Sequence, residues 1–267
     1  MEINKIYNEN CLDTMSRMSD NFIDLTVTSP PYDNLRTYNG YSFDFESIAK
    51  ELYRVTKEGG VVVWVVGDAV IKGGESGMSF KQALYFKEIG LNLHDTMIWE
   101  KDTFTFPDKT KYRSSFEYMF VISKNKPKTI NLINDRKNKY SGTIVHGTSR
   151  GKDGKTFTKS NHNKSHVKEY GVRFNVWQIN TEKQNKTKHP AVFPINLAQD
   201  HIKTWSNEND TVLDCFMGSG TTGLACKNLN RDFIGIEIDK EYFVLKQGIF
   251  KKTNTEIPFD RIKNINF

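Results

Sequence analysis

Thr28-Ser29-Pro30-Pro31-Tyr32 closes the apolar run Phe22-Ile23-Asp24-Leu25-Thr26-Val27, and these residue types in this order suit one kind of chemistry. An exocyclic amino nitrogen on a nucleobase is a poor nucleophile because its lone pair is conjugated into the ring. Two acceptors aimed at the amino hydrogens localise that pair. An oxygen of Ser29 and the carbonyl of Pro30 can supply them, because two consecutive prolines hold φ at about −65° and stiffen the turn. Tyr32 adds a flat face on which a base taken out of its stack can rest. Taken alone, the same five residues also describe a rigid strand-to-loop turn.

A second run, Thr211-Val212-Leu213-Asp214-Cys215-Phe216-Met217-Gly218-Ser219-Gly220-Thr221-Thr222-Gly223, reads as a short strand, a glycine turn and a helix continuing through Leu224, Ala225 and Cys226. Gly218 and Gly220 permit a ligand to approach the backbone closely, and the hydroxyls of Thr221 and Thr222 are placed to cap the helix. Arg231 to Asp239 follows as a strand ending in acid. A carboxylate about 20 positions after such a turn is placed for ribose hydroxyls. Glu237 is the first candidate and Asp239 the second. The glycines alone also fit an ordinary strand-to-helix turn or a dinucleotide site.

Together the two runs resemble the DNA amino-methyltransferases that use S-adenosylmethionine. The Pro-Pro motif precedes the glycine motif, an order similar to the beta arrangement of that family. The resemblance implies catalytic roles for Ser29, Pro30, Pro31 and Tyr32. It implies cofactor contacts from Asp214, Phe216, Gly218, Ser219, Gly220, Thr221, Thr222 and Glu237. His189-Pro190-Ala191-Val192-Phe193-Pro194 resembles a family segment beside the cofactor, which adds Pro190, Ala191 and Phe193. Asn10-Cys11-Leu12 resembles a segment that touches the cofactor's adenine, although Cys11 reads equally as a buried thiol. The implied reaction is direct methyl transfer without a covalent enzyme intermediate. Ser in the first motif position implies cytosine N4 as the target, with adenine N6 the alternative.

Charge distribution adds a third feature. The chain of 267 residues carries a net charge of +6, yet residues 124–188 hold 16 Lys/Arg against four acids, so the remainder is net negative. Tyr140, Phe157, Tyr170, Phe174 and Trp177 are interleaved with those charges, a composition suited to phosphate and base-edge contacts and also to a solvated loop. Lying between the two motif-bearing segments, it resembles the family's target-recognition region. Arg136, Lys137, Arg150 and Lys152 are its candidate DNA contacts, joined by Arg36 and Tyr38 from the loop after the Pro-Pro motif. The expected organisation is a catalytic half over 1–123, a recognition insertion over 124–188 and a cofactor-binding half over 189–267.

Cys11, Cys215 and Cys226 have neither metal nor disulfide spacing, and His146, His162 and His166 lack cysteine partners, so no metal site is expected. The longest strongly apolar run, Val61 to Val66, is far too short for a membrane span, and the first residues do not resemble a signal peptide. A cytoplasmic protein, prokaryotic or phage-encoded, is the expectation. The resemblance implies double-stranded DNA as substrate, with a second copy of the chain and a restriction endonuclease as further partners.

These features need a scaffold that brings them together. Periodicity predicts strands over 22–28, 60–66, 95–99, 117–123, 212–215 and 233–237, and helices over 45–57, 78–89, 196–205 and 240–250. Alternating strands and helices argue for an α/β fold, an open and mostly parallel sheet with helices on both faces. The resemblance implies a circularly permuted, Rossmann-like sheet of seven strands with one antiparallel edge strand. Three rivals remain. Methyltransferases of RNA or protein glutamine carry the motifs in the opposite order, and a nicotinamide-dependent dehydrogenase leaves Ser29 to Tyr32 unexplained. A non-catalytic DNA-binding protein of the same fold is the third.

Overall fold

Continuous apolar runs, as opposed to alternating ones, require burial on both faces, which only the interior of a helix-covered sheet provides. The computed structural model, which describes residues 1–31, 43–104, 111–181 and 194–243, places the two longest such runs at the centre of one sheet. In chain order the elements are β1 (Lys5–Tyr7), α1 (Cys11–Ser16), β2 (Ile23–Thr28), α2 (Phe45–Val55), β3 (Thr56–Val66), β4 (Val70–Ile71), β5 (Gly74–Glu75), α3 (Met78–Glu88), β6 (Asn92–Glu100) and β7 (Phe116–Ser123). They continue with β8 (Arg136–Lys137), β9 (Thr148–Arg150), β10 (Thr156–Thr158), β11 (Tyr170–Gly171), β12 (Val176–Gln178), α4 (Ile195–Trp205), β13 (Thr211–Asp214), α5 (Thr221–Asn228) and β14 (Asp232–Ile236). The chain divides into two compact units, one of Met1–Asn131 with Asn175–Phe267 and the other of Leu132–Phe174.

In the first unit, the described strands form an eight-stranded sheet in the order β1-β14-β13-β2-β3-β7-β6-β12. Every neighbouring pair is parallel except the two that involve β7, which runs antiparallel to both β3 and β6. The sheet therefore has one strand more than the resemblance implied, and its antiparallel member is interior, not at an edge. Met119 to Ser123 of β7 are buried throughout. A strand covered on both faces has the same apolar pattern whichever way it runs, so sequence periodicity carries no sign of its direction.

Alternate residues of β3 face opposite layers, as the pleat requires. Val62, Trp64 and Val66 pack with Met15 of α1, Leu52 of α2 and Phe86 of α3. Val61, Val63 and Val65 pack with Leu197 and Ile202 of α4 and with Ala225 and Cys226 of α5. Helix α2 stops at Val55, two residues before the expected end, because Thr56 already pairs with Ile23. The ladder then skips to Leu25 and Val61. Gly60 makes that irregularity feasible, since a Cβ there would lie 2.9 Å from the Lys57 carbonyl and 3.0 Å from that of Asp24.

Two crossovers leave the middle of the sheet in opposite directions. From β2 the chain passes through α2 to β3, and from β13 through α5 to β14. The carboxyl ends of β2 and β13 therefore flank a topological switch point, where open α/β sheets form ligand crevices.

The second unit is built of short ladders, β8 with β11 and β9 with β10, plus a bridge between Ile144 and His166. Arg173 pairs with Asp135, and the Arg136 guanidinium lies 4.6 Å over the Phe174 ring. Tyr140, Phe157, Tyr170 and Phe174 are exposed on it. Among the described residues, no helix is long and apolar enough to cross a membrane.

Candidate active site at the switch point

Strand β2 delivers the Pro-Pro turn. Thr28, its last residue, is fully buried, Pro30 is buried, and Ser29 and Pro31 are half-buried. The neighbouring β13 ends at Asp214 and delivers the glycine turn. Gly218 and Gly220 adopt φ of +43° and +77°, values at which a Cβ would be strained. The turn is fastened to β14 by the Met217 N–H, which donates to the Ile236 carbonyl at 2.8 Å.

Asp214 lies at the centre of this arrangement. It is 1% exposed, and three donors fill its carboxylate: the Thr28 hydroxyl at 2.7 Å, the Thr222 hydroxyl at 2.6 Å and the Phe216 N–H at 3.1 Å. Burial raises its pKa above the ordinary carboxylate value, and the Thr222, Thr28 and Phe216 bonds pull the other way. The Thr222 hydroxyl thus donates chiefly to Asp214, with the Val27 carbonyl a longer 3.4 Å away, and that of Thr221 shares a 2.8 Å contact with Ser219. Neither caps α5 as expected. The cap position belongs to Gly220, which has no side chain to offer. The helix begins at Thr221, so both threonines lie inside its first turn and not at the cap position, and the Thr222 O–H donates to the carboxylate eight residues upstream.

Glu237 follows β14 and is 9% exposed. One oxygen accepts the Gly218 N–H at 2.7 Å and the other the Asp239 N–H at 2.8 Å, which leaves acceptor capacity on both. Burial raises this carboxyl above its usual range, and the nearby Asp239 and Asp214 charges add to the effect. The Tyr7 carbonyl accepts the Glu237 N–H at 2.9 Å, and the Asn8 side chain donates to the Glu237 carbonyl at 2.7 Å. These bonds bring Asn10, Cys11 and Leu12 to the same edge of the sheet. Asn10 caps α1 by accepting the Leu12 N–H at 2.9 Å. Cys11 is buried, and Leu12 packs against the cluster that Phe216 also joins. Burial pushes the Cys11 thiol up to about 12 and raises Cys215 and Cys226 as well, so none carries the thiolate that nucleophilic attack needs.

Phe216 meets Phe43 edge-on at 5.7 Å and Trp64 at 6.2 Å, forming an aromatic wall beside the glycine turn. Gly235 went unnoticed in the sequence. A Cβ on it would lie 1.9 Å from Met217 Sδ, so the glycine turn packs onto β14 through the space that this residue leaves. A glycine inside a strand was the available signal. Thr28 was also missed, since nothing in the sequence marks its hydroxyl as the partner of a carboxylate 186 positions away.

Tyr32, Arg36, Tyr38, His189, Pro190, Ala191 and Phe193 lie outside the described residues, as does most of the expected closing helix. Arg136 and Lys137 form β8, Arg150 ends β9, and Lys152 lies in the β9–β10 turn, all in the second unit.

The orphan methyltransferase M.BamHII of Bacillus amyloliquefaciens is 60% identical over 234 residues, which are 84% of this chain and 87% of that protein. The type II methyltransferase M1.MboII of Moraxella bovis is 29% identical over 92% of this chain and 98% of its own length. Among solved structures, the cytosine-N4-specific PvuII DNA methyltransferase shares the fold, with a TM-score of 0.69 at 21% identity over 97% of this chain and 90% of that one. M1.HpyAVI, solved as a complex with S-adenosylmethionine, matches with a TM-score of 0.57 at 25% identity over 92% of this chain and 98% of its own. The family model described as DNA methylase spans residues 23–247, and with the motif-bearing turns of β2 and β13 joined at one switch point, this chain belongs to the DNA methylase family.

Proposed function

We propose that the protein methylates the exocyclic amino group of a base flipped out of double-stranded DNA, with cytosine N4 the target and S-adenosylmethionine the donor. The observation that carries this reading is the joining of the Ser29-Pro30 turn to the glycine turn through Asp214. A base-holding element and a nucleoside-binding element thereby share one crevice.

The residues fit the cofactor. Glu237 retains acceptor capacity for ribose hydroxyls, the turn through Gly218 and Gly220 admits close approach, and Phe216 with Trp64 and Phe43 supplies an apolar wall. When bound, S-adenosylmethionine would supply an electrophilic methyl group on a sulfonium, whose carbon–sulfur bond breaks as the carbon–nitrogen bond forms, leaving a neutral thioether. The chain's own part begins with the amino nitrogen. An oxygen of Ser29 and the Pro30 carbonyl accept its hydrogens and localise its lone pair as positive charge develops there. Two prolines keep those acceptors fixed, so little reorganisation is needed when the nitrogen attacks. The surplus amino proton leaves to solvent. Ser29 at the first motif position supports cytosine over adenine.

The basic second unit suits phosphate contacts, with ten Lys/Arg against three acids over residues 132–174. We assign to it target recognition on DNA, in the bacterial cytoplasm. Incubation with unmodified duplex DNA and labelled S-adenosylmethionine, then nuclease digestion and mass spectrometry of the nucleosides, tests the whole. N4-methylcytosine is the expected product. N6-methyladenine would overturn the base assignment, and DNA binding without any methylated nucleoside would overturn catalysis.

A further inference from the structure

We propose that Thr28 and Thr222 are positioning residues, which act through the Asp214 carboxylate to hold the catalytic turn at a set distance from the cofactor turn. The proposal deepens the methyl-transfer reading and rests on it. Its starting point is where the backbone ladder stops. Strands β2 and β13 pair through Val212 with Leu25 and Leu213 with Thr26, and go no further. Val27 and Thr28 continue to pair with β3 on the other side. Past Thr26, backbone pairing between β2 and β13 no longer sets the separation of the two strand ends, although the Pro-Pro turn begins three residues later, at Ser29, and the glycine turn follows Asp214.

Side chains take over at that point. Thr28 Oγ1 donates to Asp214 Oδ1 at 2.7 Å, and Thr222 Oγ1 to Oδ2 at 2.6 Å. The Phe216 N–H also donates to Oδ1. One carboxylate therefore connects the residue before Ser29, the start of the glycine turn and the first turn of α5. All three side chains are at most 1% exposed. Both hydroxyls are on β-branched residues, whose χ1 is stiff, so the link is short and rigid.

Burying a carboxylate is expensive, and apolar side chains of similar volume serve stability as well or better. Asp214 is explained by what it joins. With its side chain only 1% exposed and both oxygens held by internal donors, its contribution to cofactor binding is the shape of the turn. Methyl transfer is sensitive to that shape, since a displacement of about 1 Å lowers rates by about 100-fold.

Thr28→Val keeps the volume and removes the donor. The expected result is a kcat lower by about 10- to 100-fold, with KM for DNA and calorimetric Kd for S-adenosylmethionine each within about threefold. Thr28→Ser, which restores the hydroxyl, recovers most of the lost rate. A second readout needs no turnover. In hydrogen exchange of the DNA-free protein, cofactor binding slows the amides of Val27, Thr28 and Ser29 in the wild type, and Thr28→Val abolishes that protection at saturating cofactor. An unchanged kcat, a parallel loss of kcat and cofactor affinity, failure of Thr28→Ser to recover the rate, or equal protection in variant and wild type would each overturn the proposal. If the wild type forms no methylated nucleoside, the functional reading fails by itself, while the exchange experiment still decides whether the two turns are linked.

Discussion

Replacing Glu237 by Gln separates cofactor binding from fold stability. In the folded chain its two oxygens accept the Gly218 and Asp239 amides at 2.7 and 2.8 Å. An amide side chain has one oxygen and one NH2, so in either orientation one backbone donor faces another donor. An unmet buried donor costs about 1–3 kcal/mol, which for a chain of this size lowers Tm by roughly 2–4 °C per kcal/mol. That loss is present without cofactor. Cofactor binding loses more, because hydrogen bonds to a charged carboxylate are worth about 1.5–3 kcal/mol, or roughly a 10- to 100-fold weaker Kd. Isothermal titration calorimetry across pH distinguishes the two effects. Burial raises the Glu237 pKa above 4.5, so its contribution to the stability of the cofactor-free fold is fully present below 4.5 and is lost as pH rises through the folded value. Cofactor affinity has the opposite sign. Ribose hydroxyls need the ionised acceptor, so Kd weakens as pH falls through that same raised value, and binding above it proceeds without this proton. The Gln variant has a flat profile over that window. A variant Kd within twofold of the wild type, or an unchanged pH profile, would refute the assignment of Glu237 to the ribose.

Three further outcomes follow from the geometry. Ser29→Ala lowers methyl transfer while leaving the calorimetric Kd for S-adenosylmethionine unchanged; equal losses in both would remove the division between catalytic and cofactor turns. The expected loss is about 100-fold, and an intact rate would reject the Ser29 side-chain oxygen as the acceptor. Gly235→Ala forces Met217 from its site and destabilises the fold by about 1–3 kcal/mol, a loss that Met217→Ala in the same chain largely recovers in thermal unfolding. Removing Arg150 and Lys152 together weakens DNA binding and reduces the slope of log affinity against log salt by about two. An unchanged slope would place the phosphate contacts elsewhere.

Six of the eight strands of the sheet, and the turns that follow β2 and β13, were legible in the residues themselves. Val61 to Val66 announces a buried strand because no polar residue interrupts it, and Phe22 to Thr28 announces a strand through Ile23, Leu25 and Val27 alternating with Asp24, Thr26 and Thr28, although those polar residues are buried as well. Gly218 and Gly220 announce a tight turn because the chain can adopt positive φ there cheaply, and Glu237 lies at the distance from them that one helix and one strand require. These signals are local, depending on a residue and its near neighbours along the chain. The interior position of β7 was not legible, since burial on both faces erases the difference between parallel and antiparallel. Nor was the extra partner of Asp214. Its bond to Thr28 spans 186 positions and exists only because the sheet order sets β2 beside β13. The Thr222 hydroxyl does not cap α5 because the helix starts at Thr221, with Gly220 at the cap, which leaves its O–H to donate to Asp214 eight residues upstream. Sequence alone named many of the groups that meet at the switch point, though not Thr28 or Gly235. Tertiary structure decided which of them touch, because hydrogen bonds and close packing depend on distances that only the assembled sheet defines.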